Sequence, residues 1–252
     1  MKSPLSINPK QEANKVIFFL KKTFKEQKIN KAVLGLSGGI DSTVVLYLLK
    51  KVLPLQSIFV VQMDYNPRKE LDIDLKGINT INVPIKKIID EFEVADKIRF
   101  GNIMARVRMI ILFDLAKQLN ALVCGTENKS ERLLGYFTRF GDAASDIEPL
   151  SHLYKTQVRQ LAGYLEVPKN IINQSPTAGL WDGQTDEKEF GFTYKEADQV
   201  LYLINDPTFA KASAGKRSQD INLIKKEFKN AEKIISRMKK NQFKLKTPYF
   251  LK

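Results

Sequence analysis

Ser37-Gly38-Gly39-Ile40-Asp41-Ser42 packs two glycines, two hydroxyls and a carboxylate into one turn. Glycines let backbone N–H groups turn toward a ligand and come close to it. A helix starting at the same point adds unpaired N–H groups and a positive dipole end. The result is an anion cradle, with Ser37, Ser42 and Thr43 as further donors. No lysine follows, so this is not the nucleotide loop that ends in Lys-Ser/Thr. An aspartate in such a cradle repels phosphate unless a cation intervenes. Asp41 therefore points to Mg²⁺, a hard ion shared between carboxylate and phosphate oxygens. A bare Ser-Gly-Gly could be a plain turn with Asp41 capping a helix. The apolar run before it and the helical run after it favour a pyrophosphate site.

The flanking segments must hold that turn. Asn8-Pro9 has the form of a helix start, and Ala13, Val16, Ile17, Leu20 and Phe24 share one helical face. Strands are expected at 31–37, 57–63, 81–85 and 121–126. Helices are expected after the glycine turn, near 86–95, over 105–119 and near 155–166. Strands alternating with helices predict an α/β fold, a parallel sheet flanked by helices on both faces. Ligands collect at the carboxyl ends of such strands, where both the glycine turn and Gly125-Thr126 fall. Beyond Pro168 a polar, Gly-rich stretch, 173–192, reads as a long loop that carries the single tryptophan, Trp181. Residues 210–219 read as a flexible connector. Ile221, Ile224, Phe228, Ala231, Ile235 and Met238 then predict one amphipathic helix with a Lys-rich back.

The 252 residues are 43% hydrophobic with a net charge of +13. From Phe209 onward, 13 Lys+Arg face 3 Asp+Glu, a net of +10, so the basicity is largely C-terminal. It reads either as a phosphate- or RNA-attracting surface or as a solvated helix face. No apolar run reaches the roughly 18 residues of a membrane span. Residues 1–15 lack a signal-peptide core. The lone Cys124 excludes an internal disulfide and a Cys-cluster metal site. A cytoplasmic location is expected.

"SGGIDS" resembles the signature of the ATP pyrophosphatases, which cleave ATP between its α and β phosphates. GMP, asparagine and NAD synthetases and certain tRNA-modifying ligases share it. "GNIMARVRM" (101–109), "GTENKSERLLGYFTRFGDAASDIEPL" (125–150), "LYKTQVRQLA" (153–162) and "GQTDEKEFG" (183–191) follow in order. That series resembles ammonia-dependent NAD synthetases from about 31 to 205. The resemblance implies a Rossmann-like adenine-nucleotide alpha-hydrolase fold within a single domain, 1–252. Its parts would be an N-terminal helix (1–30), an ATP pyrophosphatase core (31–170), an active-site lid loop (173–192) and C-terminal helices (193–252). It implies a ligase that adenylates the nicotinate carboxylate of deamido-NAD with ATP and Mg²⁺, then lets ammonia displace AMP. By the same resemblance Ser37, Gly38, Gly39, Ile40, Asp41, Ser42, Met63, Thr126 and Lys155 contact ATP. Asp41 and Glu131 hold the metal. Arg106, Tyr136, Phe137, Asp142 and Asp146 line the deamido-NAD site, where the two aspartates could accept from ribose hydroxyls or an ammonium ion. Asp41, Lys155 and Asp142 are the candidate catalytic residues. Outside those blocks Glu131 would read as a surface acid and Lys155 as a solvated lysine. A homodimer is implied, with the N-terminal helix and the apolar part of 101–119 as candidate interface.

Three departures from the family pattern stand out. "DYNPRKELD" follows Met63 where Pro-Tyr is usual, Ala143 replaces a common glycine, and "FKLKTP" offers Lys244 and Lys246 where Lys-Arg is usual. His152 is expected to be a surface residue. With no amidase-like segment before 31 and Cys124 in a core strand, glutamine hydrolysis is not expected. The rival enzyme is a tRNA-modifying ligase using the basic C-terminus as its platform. The rival non-enzyme is a nucleotide-binding, RNA-associated module.

Overall fold

The computed structural model describes residues 4–66, 72–177, 183–205 and 217–246, the side chains of 217–220 excepted. The Trp181 and 210–216 expectations lie outside them. Helix α1 (Pro9–Gln27) begins as its sequence dictates, with Pro9 in the first turn and Asn8 accepting from the Gln11 N–H at 3.2 Å. Then follow β1 (Ala32–Gly35), α2 (Ile40–Leu49), β2 (Ile58–Gln62), β3 (Asn79–Asn82), α3 (Lys86–Asp90), α4 (Lys97–Leu119) and β4 (Leu122–Cys124). The remaining helices are α5 (Lys129–Leu134), α6 (Lys155–Tyr164), α7 (Lys169–Asn173), α8 (Asp186–Phe190), α9 (Tyr194–Asn205), α10 (Arg217–Glu227) and α11 (Ala231–Asn241).

All described strand pairs are parallel, in the order β3-β2-β1-β4, with Leu34 level with Val60 and Cys124. Alternate strand residues serve opposite faces. Ala32, Leu34, Ile58, Val60, Leu122 and Cys124 pack with α1, α2 and α6. Val33, Val61 and Val123 pack with α3 and α4. Burial on both faces explains why these strands read as continuous apolar runs. A third apolar cluster joins Leu134, Tyr154, Phe190, Phe192 and the C-terminal helices.

Several expectations shift. The third strand pairs over Asn79–Asn82 rather than 81–85. Val83 and Ile85 still donate to the carbonyls of Gln62 and Asp64, and Pro84 between them lies where an edge strand needs no N–H toward its neighbour. The single C-terminal helix is two, α10 and α11, broken near Asn230. There the Glu196 carboxylate accepts from both the backbone N–H and the side-chain amide of Asn230, each at 2.7 Å. The stretch 173–192 is not a continuous loop. It contains α8, and Phe190 and Phe192 are buried. Among the described residues no helix is long and apolar enough to cross a membrane.

Candidate active site

The carboxyl ends of β1, β2 and β4 open into a cavity of about 1290 Å³. Gly38 makes the turn after β1 with φ of +80°, which glycine adopts freely, without itself lining the cavity. Ser37, Gly39, Ile40, Asp41 and Ser42 do line it. The Ser37 hydroxyl accepts from the Gly39 N–H at 3.2 Å and lies 3.1 Å from the Ser42 hydroxyl, so the loop is tied before any ligand arrives. Met63 and Thr126 line the cavity from the ends of β2 and β4.

Lys155, at the start of α6, is 3% exposed. Its Nζ lies 2.5 Å from Asp41 Oδ2 and 3.1 Å from Glu131 Oε1. Burial alone would lower its pKa, but the charges of Asp41 and Glu131 raise it, so it stays an ammonium. Burial pushes Glu131 up to about 7, against the pull of Lys155. Neighbours fix this geometry. Asn128 caps α5 and donates to Asp41 Oδ1 at 3.1 Å, and with Glu131 it forms a capping box. The buried Asp198 of α9 accepts from the Ser130 hydroxyl and, at 2.8 Å, from the Thr156 N–H. It thus joins the residues adjacent to Glu131 and Lys155. The Asn-x-x-Glu spacing was a readable signal for Asn128. Nothing local announces Asp198, 68 residues from Ser130.

Tyr136, Phe137 and Asp142 also line the cavity. Asp142 accepts from the Thr138 N–H at 2.9 Å. Two candidates lie elsewhere. Arg106 is exposed on α4 and donates to the Arg139 carbonyl at 3.3 Å, while Arg108, two residues on, lines the cavity. Asp146 accepts from the Val123 N–H at 2.8 Å beside the sheet and does not reach the cavity. His152 pairs with Glu12 at 2.8 Å, half-exposed and outside the cavity. Burial pushes the Cys124 thiol up, so it stays protonated.

The C-terminal charge is not merely a solvated face. Lys233, Arg237 and Lys240 of α11 line the cavity, as does Lys244 just beyond it. Lys244 Nζ donates to the carbonyls of Gly135 (2.7 Å) and Phe137 (2.8 Å). This docking depends on Gly135, whose φ is +63° and where a Cβ would meet Asn241 Cβ at 2.2 Å. Gly135→Ala is expected to destabilise the protein by about 1–3 kcal/mol. It should also weaken substrate binding by displacing α11. Thermal melts and KM measurements check both.

Behind Gly125 sits an acid pair. Burial first, then Glu148, pushes Glu127 up to about 8, and burial pushes Glu148 up to about 7. Carboxyls raised in the fold stabilise it fully below their ordinary range, and that contribution is lost as pH rises through 7 to 8. The melting temperature should therefore fall from pH 6 to pH 9. Glu127→Gln should recover about 1–3 kcal/mol at the alkaline end, read by melts across that range.

Two hard carboxylates flanking a buried ammonium are a fitting donor pair for Mg²⁺. Among the described residues no cluster of three or more candidate metal ligands occurs. Most coordination positions would then fall to phosphate and water, as Mg²⁺ prefers.

Residues 12–248 match the family model described as NAD synthase. The NH(3)-dependent NAD(+) synthetase of Fusobacterium nucleatum is 41% identical, covering 98% of each chain. That of Thermococcus sibiricus is 40% identical over 93% of this chain and 94% of its own. Among solved structures, NMN synthetase from Francisella tularensis superposes with a TM-score of 0.80 at 33% identity, covering 98% of this chain and 99% of that one. The NH3-dependent NAD synthetase of Campylobacter jejuni gives 0.75 at 30%, covering 98% and 100%. With the glycine turn, the parallel sheet and the Asp41–Lys155–Glu131 cluster all in place, the chain belongs to the NAD synthase family and has its α/β, adenine-nucleotide alpha-hydrolase-type fold.

Proposed function

We propose that this ligase joins ammonia to the nicotinate carboxylate of deamido-NAD, converting ATP to AMP and pyrophosphate. The observation that carries the proposal is the meeting of the Ser37–Ser42 turn, Asp41, Glu131 and Lys155 at one cavity that Tyr136, Phe137 and Asp142 also line. A carboxylate is a poor electrophile. Its oxygen attacks the α-phosphorus, the bond to pyrophosphate breaks, and an acyl adenylate forms. The lone pair of ammonia then forms the C–N bond. The C–O bond breaks with its electrons leaving on AMP, and the amine nitrogen loses a proton. No protein nucleophile is needed, only alignment and neutralised charge.

In this reading Ser37, Gly39 and Ser42 hold the pyrophosphate portion of ATP, and Gly38 and Ile40 shape the turn. Met63 and Thr126 face the nucleoside. Asp41 and Glu131 hold Mg²⁺, which when bound neutralises phosphate charge. Lys155 adds a fixed positive charge at the same point. Tyr136, Phe137 and Asp142 receive the acid substrate, with Asp142 accepting from a ribose hydroxyl. Arg106 lies on the outer face of α4 near Ile110, which is 60% exposed. We place the proposed homodimer contact on that face, from which Arg106 would approach the partner's substrate. Sedimentation of wild type and Ile110→Lys tests this. A cytoplasmic location remains part of the proposal.

The superposition on an NMN synthetase supports a second reading, in which the acid is nicotinate mononucleotide. The deciding experiment offers ATP, Mg²⁺ and ammonium with each acid and quantifies NAD, its mononucleotide counterpart, AMP and pyrophosphate. NAD formation with the higher kcat/KM supports the dinucleotide. Preference for the mononucleotide replaces it. AMP made only when tRNA is present would overturn both.

A further inference from the structure

Glu148 ends a stretch, 142–148, that runs beside the end of β4. The Asp146 N–H donates to the Val123 carbonyl at 3.0 Å, and the Gly125 N–H donates to the Ile147 carbonyl at 2.8 Å. One step further along, a side chain takes over from the backbone. The Glu127 N–H donates to Glu148 Oε2 at 3.0 Å, and Glu148 Oε1 accepts from the Ser145 hydroxyl at 2.7 Å. One carboxylate thus ties the loop leaving β4, which carries Thr126, to the stretch that carries Asp142. Gly125 makes room for it, since a Cβ there would lie 1.9 Å from Glu148 Oε1 and 2.8 Å from Ser145 Cβ. Gly125, Thr126, Asp142 and Ala144 line the cavity, whereas Glu127 and Glu148 do not, so the pair acts from behind the wall.

The surrounding charges limit how many protons the pair can lose. Around it stand Glu131 and Arg132 of α5, Asp142 and Asp146 of the adjoining stretch, the protonated Cys124 of β4, and Lys244. Carboxylates outnumber the two cations. Two hydrogen-bond donors favour the charge on Glu148. Glu127 Oε1 is buried and accepts no hydrogen bond among the described residues, so Glu127 is the member that has to stay neutral. We propose that Glu148 is a positioning residue that holds the Thr126 loop and the Asp142 stretch in register, so that ATP and the acid substrate meet. Glu127 makes that register proton-dependent. Its carboxyl, pushed up to about 8 by burial and by Glu148, ionises as the pH rises. Two adjacent anions then repel, and the Glu127 N–H leaves its acceptor. This rests on the amidation reading above, which places ATP against Thr126 and the acid against Asp142.

Equilibrium dialysis of the intact protein with ATP and Mg²⁺, and separately with deamido-NAD or nicotinate mononucleotide, reads positioning without turnover. At pH 7, Glu148→Ala should raise the dissociation constants of ATP and of the acid about tenfold each. Glu148→Gln should restore most of the loss, because its amide oxygen can accept from the Glu127 N–H and its NH₂ can donate to the Ser145 oxygen. If Glu148→Ala does not fold, Glu148→Asp, one methylene too short to reach the Glu127 N–H, carries the same comparison. A lowered melting temperature with both constants unchanged overturns the inference, since Glu148 would then serve stability alone. A rise confined to one ligand overturns the joint role. Between pH 7 and pH 9 the wild-type affinity for ATP should fall at least about threefold, and Glu127→Gln should keep its affinity. Equal falls in the two proteins overturn the part given to Glu127. The amidation reading is judged apart from this. If wild type binds ATP but forms no amide from ammonium with either acid, that reading fails, while the ATP constants still decide the role of Glu148.

Discussion

Replacing Lys155 with Met is expected to destabilise the protein by about 3–5 kcal/mol and to abolish adenylation. The side chain is 4% exposed and lies between Asp41 and Glu131, with Asp186 in the same field. Without the ammonium these carboxylates face one another with no cation. Glu131 sits at about 7 even beside the lysine, so it would be higher without it. The stability loss should therefore be smaller at pH 6 than at pH 8.5, where Glu131 must ionise unpaired. Urea unfolding at both values reads the difference. A loss below about 1 kcal/mol at the higher pH would mean that Lys155 behaves as a surface lysine.

Asp41→Asn should act differently, removing catalysis and sparing the fold. Lys155 keeps Glu131 as its partner, and the new amide oxygen can still accept from Asn128 or Lys155. What is lost is one of two charges that hold Mg²⁺ against the phosphates. We expect ATP–pyrophosphate exchange to fall by about 10²–10³-fold, with a melting temperature near that of wild type. Near-normal exchange at limiting Mg²⁺ would show that Asp41 is no metal ligand.

Much of this was legible in the sequence because its determinants are local. The turn at 37–42 carries its own glycines and hydroxyls. Asn8-Pro9 carries its own cap, and the strands carry their own runs. Where a partner from elsewhere decides, the sequence was silent or misleading. Glu196 breaks the C-terminal helix from 34 residues away. Lys233, Arg237 and Lys240 looked solvated because the helix period shows which residues share a face, not what that face meets. Arg106 and Arg108 differ by two positions on one helix, and only packing decides which of them reaches the cavity. Asp198 acquires meaning only through Ser130 and Thr156.

The most direct measurement follows the oxygen atoms. Deamido-NAD whose nicotinate carboxylate carries heavy oxygen should be incubated with ATP, Mg²⁺ and ammonium, and the products analysed by mass spectrometry. Attack of the carboxylate on the α-phosphorus predicts that one labelled oxygen leaves the acid and appears in AMP, with none in pyrophosphate. NAD formed with unlabelled AMP, or label in pyrophosphate or inorganic phosphate, would contradict the acyl-adenylate route and with it the roles given to Asp41, Glu131 and Lys155.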